Sequence, residues 1–330
     1  MNPEKRAELR RIRDGVRPAL WRSWPFVQWL ARAAKQKDRA VVMRFLTGLL
    51  TVSALCNLIL AQTNRPTRTA SPWGNQDMSD FQVFEFRRYS IKAGEREHFA
   101  QYFESYFPEA FQQLGAIAAG SFFERRNQLG FTWIRGFHTI EDRAVANAAF
   151  YYGSVWHEHK KTLNDLMTDS DNVMLLRPLT PERGVPILPA VDPVTEANGA
   201  QGIVVAQIFA VKTNSVEAFA KEAETTFASY RAAGARESGV LVTLDVTNNF
   251  PQLPIRTDGP YLVWLAILRD NQMLENEFAP VAERSLPSLS ATGLLRAAPE
   301  LVILDPTHRS RLRWLPDEGT NLGSGGIRRQ

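Results

Sequence analysis

The residues with chemistry to offer cluster in two short segments. In QVFEFRRYS (82–90) apolar and polar residues alternate, which is a strand pattern, and period-2 parity sets Glu85, Arg87 and Tyr89 on one face. FTWIRGF (131–137) places Phe131, Trp133, Arg135 and Phe137 on one face in the same way. A carboxylate, two guanidiniums, a phenol and an indole can do one of two things together. They can form a polar pocket in which Arg87 or Arg135 binds an acidic or carbonyl-bearing ligand beside Tyr89 and Trp133. Or they can form an internal ion-pair network that fixes how the sheets dock, because a buried Arg needs a carboxylate, here Glu85 or Glu124. The ion-pair network is the preferred reading.

A second set lies at 155–163. On a helix, Trp156, His159 and Leu163 share one face, at i, i+3 and i+7. His157 diverges from His159 by about 200°, so His157-Glu158-His159 is a poor metal clamp. His159 then reads as a half-buried, hydrogen-bonded residue. Asp169-Ser170-Asp171-Asn172 reads as a turn that satisfies its own backbone N–H groups before a strand. The chain has one Cys, which excludes a disulfide framework and multi-Cys metal or iron–sulfur sites. There is no GxGxxG after a strand, no GxxxxGK[ST], no HExxH and no GxSxG. No metal and no cofactor are therefore expected.

The elements that must position these residues occur twice. Residues 82–90, 121–126, 131–137 and 172–177 read as strands, with helical stretches at 94–114 and 140–167, the second broken near Gly153. A Pro/Gly-rich linker covers 181–201. The same order then returns: strands at 203–211, 240–246, 261–268 and 301–304, helical stretches at 216–233 and 271–294. This is an α+β chain of two tandem ferredoxin-like β-α-β-β-α-β repeats, 81–180 and 202–306. At an offset of 120, Lys92, Phe99, Ala100 and Phe107 meet Lys212, Phe219, Ala220 and Phe227. Strands such as 204–209 and 262–265 are apolar on both faces, so each sheet needs cover beyond its two helices. The two sheets are expected to pack face to face as one barrel-like core, with the Glu85 and Trp133 faces toward its interior. Residues 307–330 read as a disordered tail.

Several blocks resemble the NIPSNAP family. FEFRRYSIKAGEREHF (84–99) looks like its opening strand and helix, and FTWIRGF with EDR (141–143), VWHEH (155–159) and DSDNVMLLRP (169–178) follow in the family's order. The resemblance covers roughly residues 81–180 and implies a dimeric α+β barrel. The second repeat lacks this wording and reads as a degenerate copy. Because the family's biochemical role is poorly defined, the resemblance implies little chemistry.

Charge is divided unevenly. Residues 1–44 carry 12 Lys/Arg against 4 Asp/Glu, and the rest carries 27 against 31. The part expected to fold is mildly acidic, which argues against a nucleic-acid partner. Residues 45–61 form an uninterrupted apolar run behind Met43-Arg44, a secretory signal pattern with a cut before Gln62. Residues 1–42 are then a basic tail on an uncleaved signal anchor, a mis-assigned start, or an organelle presequence; 43–61 is a signal peptide or anchor and 62–80 a linker. The folded part is expected outside the cytoplasm, exported or held at a membrane through 45–61. The function read from all this is a non-catalytic ligand- or partner-binding barrel, with room for a small-molecule ligand and for homo-oligomerisation. The alternative is a cofactor-independent monooxygenase or isomerase acting on a small aromatic or carbonyl compound. The candidate binding residues are Glu85, Arg87, Tyr89, Glu124, Trp133, Arg135, Trp156 and His159.

Overall fold

In the computed structural model, which describes residues 81–316, the first alternating segment forms β1 (Val83–Ile91). It pairs antiparallel with β3 (Gly130–Phe137), which also pairs with β2 (Ala116–Glu124). On the other side of β1 lies β4 (Met167–Pro178). The C-terminal half has β5 (Ile203–Ala210), β6 (Arg236–Thr243), β7 (Tyr261–Leu268) and β8 (Glu300–Pro306). The eight strands close into one barrel in the order β1-β3-β2-β8-β5-β7-β6-β4. The halves therefore share one strand order, 4-1-3-2 and 8-5-7-6. They are sewn together by two short junctions, Phe122–Glu124 against Leu304–Pro306 and Leu176–Pro178 against Leu241–Thr243. The expected face-to-face sheets are thus one continuous sheet, and closure leaves no free edge. The expected leader, signal segment and first linker lie outside the described residues.

The barrel interior is filled by apolar side chains from both halves, among them Phe84, Phe86, Ile134, Leu176, Val204 and Leu265. Helices cover the outside. The expected 94–114 helix is two: α1 (Arg96–Tyr106) and α2 (Pro108–Gln113). Pro108, which has no N–H to donate, starts the second. α1 turns Phe99, Ala100 and Phe103 inward. α3 (Ile140–Tyr151) is capped by Thr139, whose hydroxyl accepts from the Asp142 N–H at 3.1 Å, and α4 (Ser154–Leu166) follows Gly153. In the C-terminal half, α5 (Val216–Ala232) and a π-helical turn (Met273–Phe278) running into α6 (Ala279–Ala291) play the same part.

The linker at 181–201 connects the two halves and also packs on them, with Val185 and Leu188 buried in the barrel-interior cluster. The expectation for the tail needs correction: beginning at 307, it is not disordered over its first ten residues. Leu312 is fully buried in that same cluster, and its N–H donates to the Ala119 carbonyl at 2.9 Å. Arg313 pairs with Glu196 at 2.6 Å, and the Trp314 N–H donates to the Gln201 carbonyl at 2.8 Å. Gly202 makes this approach feasible. It sits at φ +93°, and a Cβ there would come within 2.7 Å of the Trp314 Cβ. Polar composition hid a short apolar plug in both segments. Leu312→Ala should cost about 2–5 kcal/mol, the usual range for a buried Leu. A chemical-denaturation midpoint unchanged from wild type would mean that the segment takes no part in the folded core.

Candidate functional site

Parity groups the site residues correctly, but on the opposite face from the one expected. Glu85, Arg87, Tyr89, Trp133, Arg135 and Phe137 lie on the outside of the barrel, beneath the helices of the N-terminal half. The aromatic stripe of α1 decides this. Phe103 meets Trp133 edge-on at 4.9 Å and Phe99 meets Phe131 at 4.8 Å, while the other face of β1 and β3 offers Phe84, Phe86 and Ile134 to the interior. Edge-to-face ring packing favours the first pairing.

Glu85 stands at the centre of three guanidiniums. Its Oε2 accepts from Arg87 Nη1 at 2.9 Å and from Arg135 Nη2 at 2.6 Å, and its Oε1 accepts from Arg143 Nε at 2.7 Å. All four side chains are buried. Burial by itself would raise the Glu85 carboxyl. Arg135, Arg87 and Arg143 outweigh it and hold the group well below the carboxylate range. Arg135 is the partner the sequence suggested; Arg143, on α3, was not foreseen. Its signal was present, since Arg143 shares the inward face of α3 with Ala146, Asn147 and Phe150. Aromatic faces cushion the cations: Arg135 lies 5.1 Å from the Phe111 centroid and 5.2 Å from Trp133, and Arg87 lies 5.5 Å from Tyr89 and from Trp133. They do not neutralise them. Three cations share one carboxylate, and Arg143 Nη2, Asn147 Nδ2 and Trp133 Nε1 are buried donors without an acceptor among the described residues.

Beside this cluster, between sheet and helices, lies a cavity of about 110 Å³. Arg87, Tyr89 and Trp133 form its floor, and Phe107, Phe150, Tyr151 and Trp156 are among its walls. Asn164, which is exposed, and Ser170 with Leu253, both half-buried, mark its outer end. Arg87 donates from Nε to the Tyr89 hydroxyl at 2.8 Å and from Nη1 to Glu85. Its Nη2 has no hydrogen-bond partner among the described residues. Burial pushes the Tyr89 phenol up, so it stays neutral at ordinary pH.

The long β6–β7 loop of the C-terminal half reaches over to this site. Arg143 Nη1 donates to the side-chain carbonyls of Asn248 and Asn249, at 3.1 and 2.7 Å. Phe250 stacks on Tyr151 at 5.9 Å, and Leu253 closes part of the cavity. Sequence reading of this loop could not have found that role, because only the closed barrel brings it near α3. The C-terminal half builds no matching site. Gln207 pairs with Trp264 where Arg87 pairs with Trp133, and Val205 and Phe209 flank it in place of Glu85 and Tyr89.

Two candidate residues lie elsewhere. Glu124 is on the interior face, at one end of the barrel, where it accepts from Arg88 Nε at 2.7 Å and from the Thr132 hydroxyl at 2.8 Å. It is not a partner of Arg135. Strand parity explains this, since Glu124 shares the orientation of Phe122 rather than that of Phe123. His159 is half-buried against Tyr106, ring centroids 3.9 Å apart, with Nδ1 at 2.8 Å from the Tyr102 hydroxyl, and it does not border the cavity. Trp156 does. His157 is exposed, and among the described residues no group of His, Cys, Asp and Glu is arranged to hold a metal. The Asp169–Asn172 segment belongs to β4 rather than preceding it, although the Asp169 side chain accepts from the Asp171 N–H at 2.9 Å in the turn-like way expected.

No family model and no curated protein matches the sequence. Among solved structures, the chain is similar to a Fusobacterium nucleatum protein assigned as a monooxygenase, at 10% identity, TM-score 0.47, over 71% of this chain and 96% of that one. A Lactobacillus acidophilus protein assigned likewise matches at 13% identity, TM-score 0.44, over 68% and 94%. NIPSNAP-family structures match a smaller part, for example a NIPSNAP-like domain protein from Burkholderia xenovorans at 21% identity, TM-score 0.30, over 35% of this chain and 99% of that one. These likenesses are too distant to carry an activity.

Proposed function

We propose that the protein is a NIPSNAP-like, exported α+β barrel that binds a small molecule in the cavity between the sheet and the helices of its N-terminal half, without transforming it. The observation that carries this reading is the composition of the cavity. It has aromatic walls and an arginine floor, yet no carboxylate and no histidine among its described lining residues. A binding site needs an apolar body with a few placed polar groups. An acid–base enzyme needs in addition a group able to take a proton near neutral pH. Tyr89 does not serve, because burial raises its phenol and Arg87 already donates to its oxygen. His159 is turned to Tyr102. Export is a separate part of the proposal and rests on the sequence of residues 43–61.

Native mass spectrometry of the purified protein tests the binding reading. The expected result is a mass excess of one small organic molecule that disappears on denaturation and is lost in Trp156→Arg, which places a long charged chain in the cavity wall. A wild-type protein that carries no excess mass, and that no small aromatic or aliphatic compound stabilises thermally, would refute it.

A further inference from the structure

We infer that the cavity selects a small monocarboxylate, whose oxygens dock on Arg87 while its apolar body lies among the aromatic walls. This rests on the binding reading above and names the chemical class of its ligand.

Among the described residues Glu85 is the one carboxylate paired with Arg87, Arg135 and Arg143, so the buried cluster they form carries two positive charges in excess. Neighbouring rings reduce the cost of the cations through their electron-rich faces, but a ring contributes no net charge. An uncompensated buried cation is costly, and an anion placed beside it removes part of that cost. The excess also makes the cavity electropositive for any ligand that enters, since charges interact strongly where water is excluded.

Of the three guanidiniums, Arg87 is the one that borders the cavity. Two of its nitrogens are committed, Nε to Tyr89 and Nη1 to Glu85, which fixes the plane of the group. The third, Nη2, is left for a ligand. A guanidinium held in place by two hydrogen bonds loses little further freedom on accepting an oxyanion, which favours carboxylate over a neutral carbonyl. A permanently charged arginine also cannot lose its proton to suit an uncharged ligand.

Size limits the rest. A cavity of about 150 Å³ takes benzene, so about 110 Å³ suits a body of roughly five or six heavy atoms. The apolar walls of Phe107, Phe150 and Trp156 disfavour a second charge on the ligand. A short, singly charged acid meets both limits, whereas a dicarboxylate or a phosphate monoester brings a second charge and fails the second.

Isobutyrate and isobutyramide are matched in shape and differ in charge, and titration calorimetry of the intact protein with each is the test. Isobutyrate should bind at least ten-fold more tightly than the amide. Arg87→Gln should remove that preference while leaving weak binding of both. Equal binding of acid and amide to the wild type would overturn the carboxylate assignment and leave the cavity-binding reading standing. Failure of both to bind, together with the absence of any retained molecule in native mass spectra, would overturn the two together. If Arg87→Gln does not fold, the wild-type comparison decides alone. If it folds and keeps the preference, the acid docks elsewhere and the assignment to Arg87 is wrong.

Discussion

Glu85→Ala should destabilise the protein by about 5 kcal/mol, the upper end of the range for breaking a buried ion pair, because it leaves three guanidiniums without their carboxylate. Arg135→Ala should cost less. Glu85 would still be held by Arg87 and Arg143, at 2.9 and 2.7 Å, and the like charges crowding it would fall from three to two. Arg135→Lys should fall between wild type and Arg135→Ala, since an ammonium keeps the charge but loses the planar fork. Denaturant midpoints of the three variants measure the ranking. If Arg135→Ala proves as damaging as Glu85→Ala, the cluster is governed by ring packing around Arg135 rather than by charge.

The same cluster fixes how stability responds to acid. In the folded protein the Glu85 carboxyl lies below the ordinary glutamate value of about 4.3, so its contribution is complete above that value. It is lost as pH falls from there toward the lowered folded value. Wild-type stability should therefore decline below about pH 4.3, and this component should be absent from Glu85→Gln, which has no proton to take up. Unfolding midpoints followed from pH 6 down to pH 2 give the comparison. Parallel curves for the two proteins would contradict the ion-pair geometry.

How far the sequence could be read follows from these same residues. Strand parity is a property of the backbone, so Glu85, Arg87 and Tyr89 could be placed on one face without a structure, and Trp133 with Arg135 on another. Which way the faces point could not be read, because both are apolar enough to be buried: Phe84 and Phe86 alternate with Tyr89 and Val83. The decision belongs to the fit between α1 and the sheet, a tertiary quantity. Arg143 was missed because it follows two exposed acids, Glu141 and Asp142, in a segment that looks solvated at its start. Asn248, Asn249 and Leu253 were out of reach for a different reason. They are more than a hundred residues from Arg87 in sequence, nothing local marks them, and only barrel closure brings Asn248 and Asn249 to Arg143 and Leu253 to the cavity.

Barrel closure also dictates what happens to half of the molecule. Residues 78–180 alone would carry β1 to β4 and their helices but would lose both junctions. The edge of β2 would lose β8, and the edge of β4 would lose β6. The inner face would expose Phe84, Phe86, Phe122, Ile134, Met174 and Leu176, all buried in the whole protein. Two unpaired edges beside an apolar face are a template for association. The geometry of association is prescribed as well, because β8 occupies toward β2 the place that a second copy's β4 would take, and β6 occupies toward β4 the place of a second β2. The fragment should therefore form a two-fold dimer that rebuilds an eight-stranded barrel, or aggregate where the edges fail to register. Analytical ultracentrifugation distinguishes these outcomes, and Phe122→Asp, which puts a charge on the inner face, should abolish the dimer and leave insoluble or unfolded chain. A soluble, cooperatively folded monomer of residues 78–180 would show that the N-terminal half completes its own core, and that the barrel joins two finished domains rather than two halves of one.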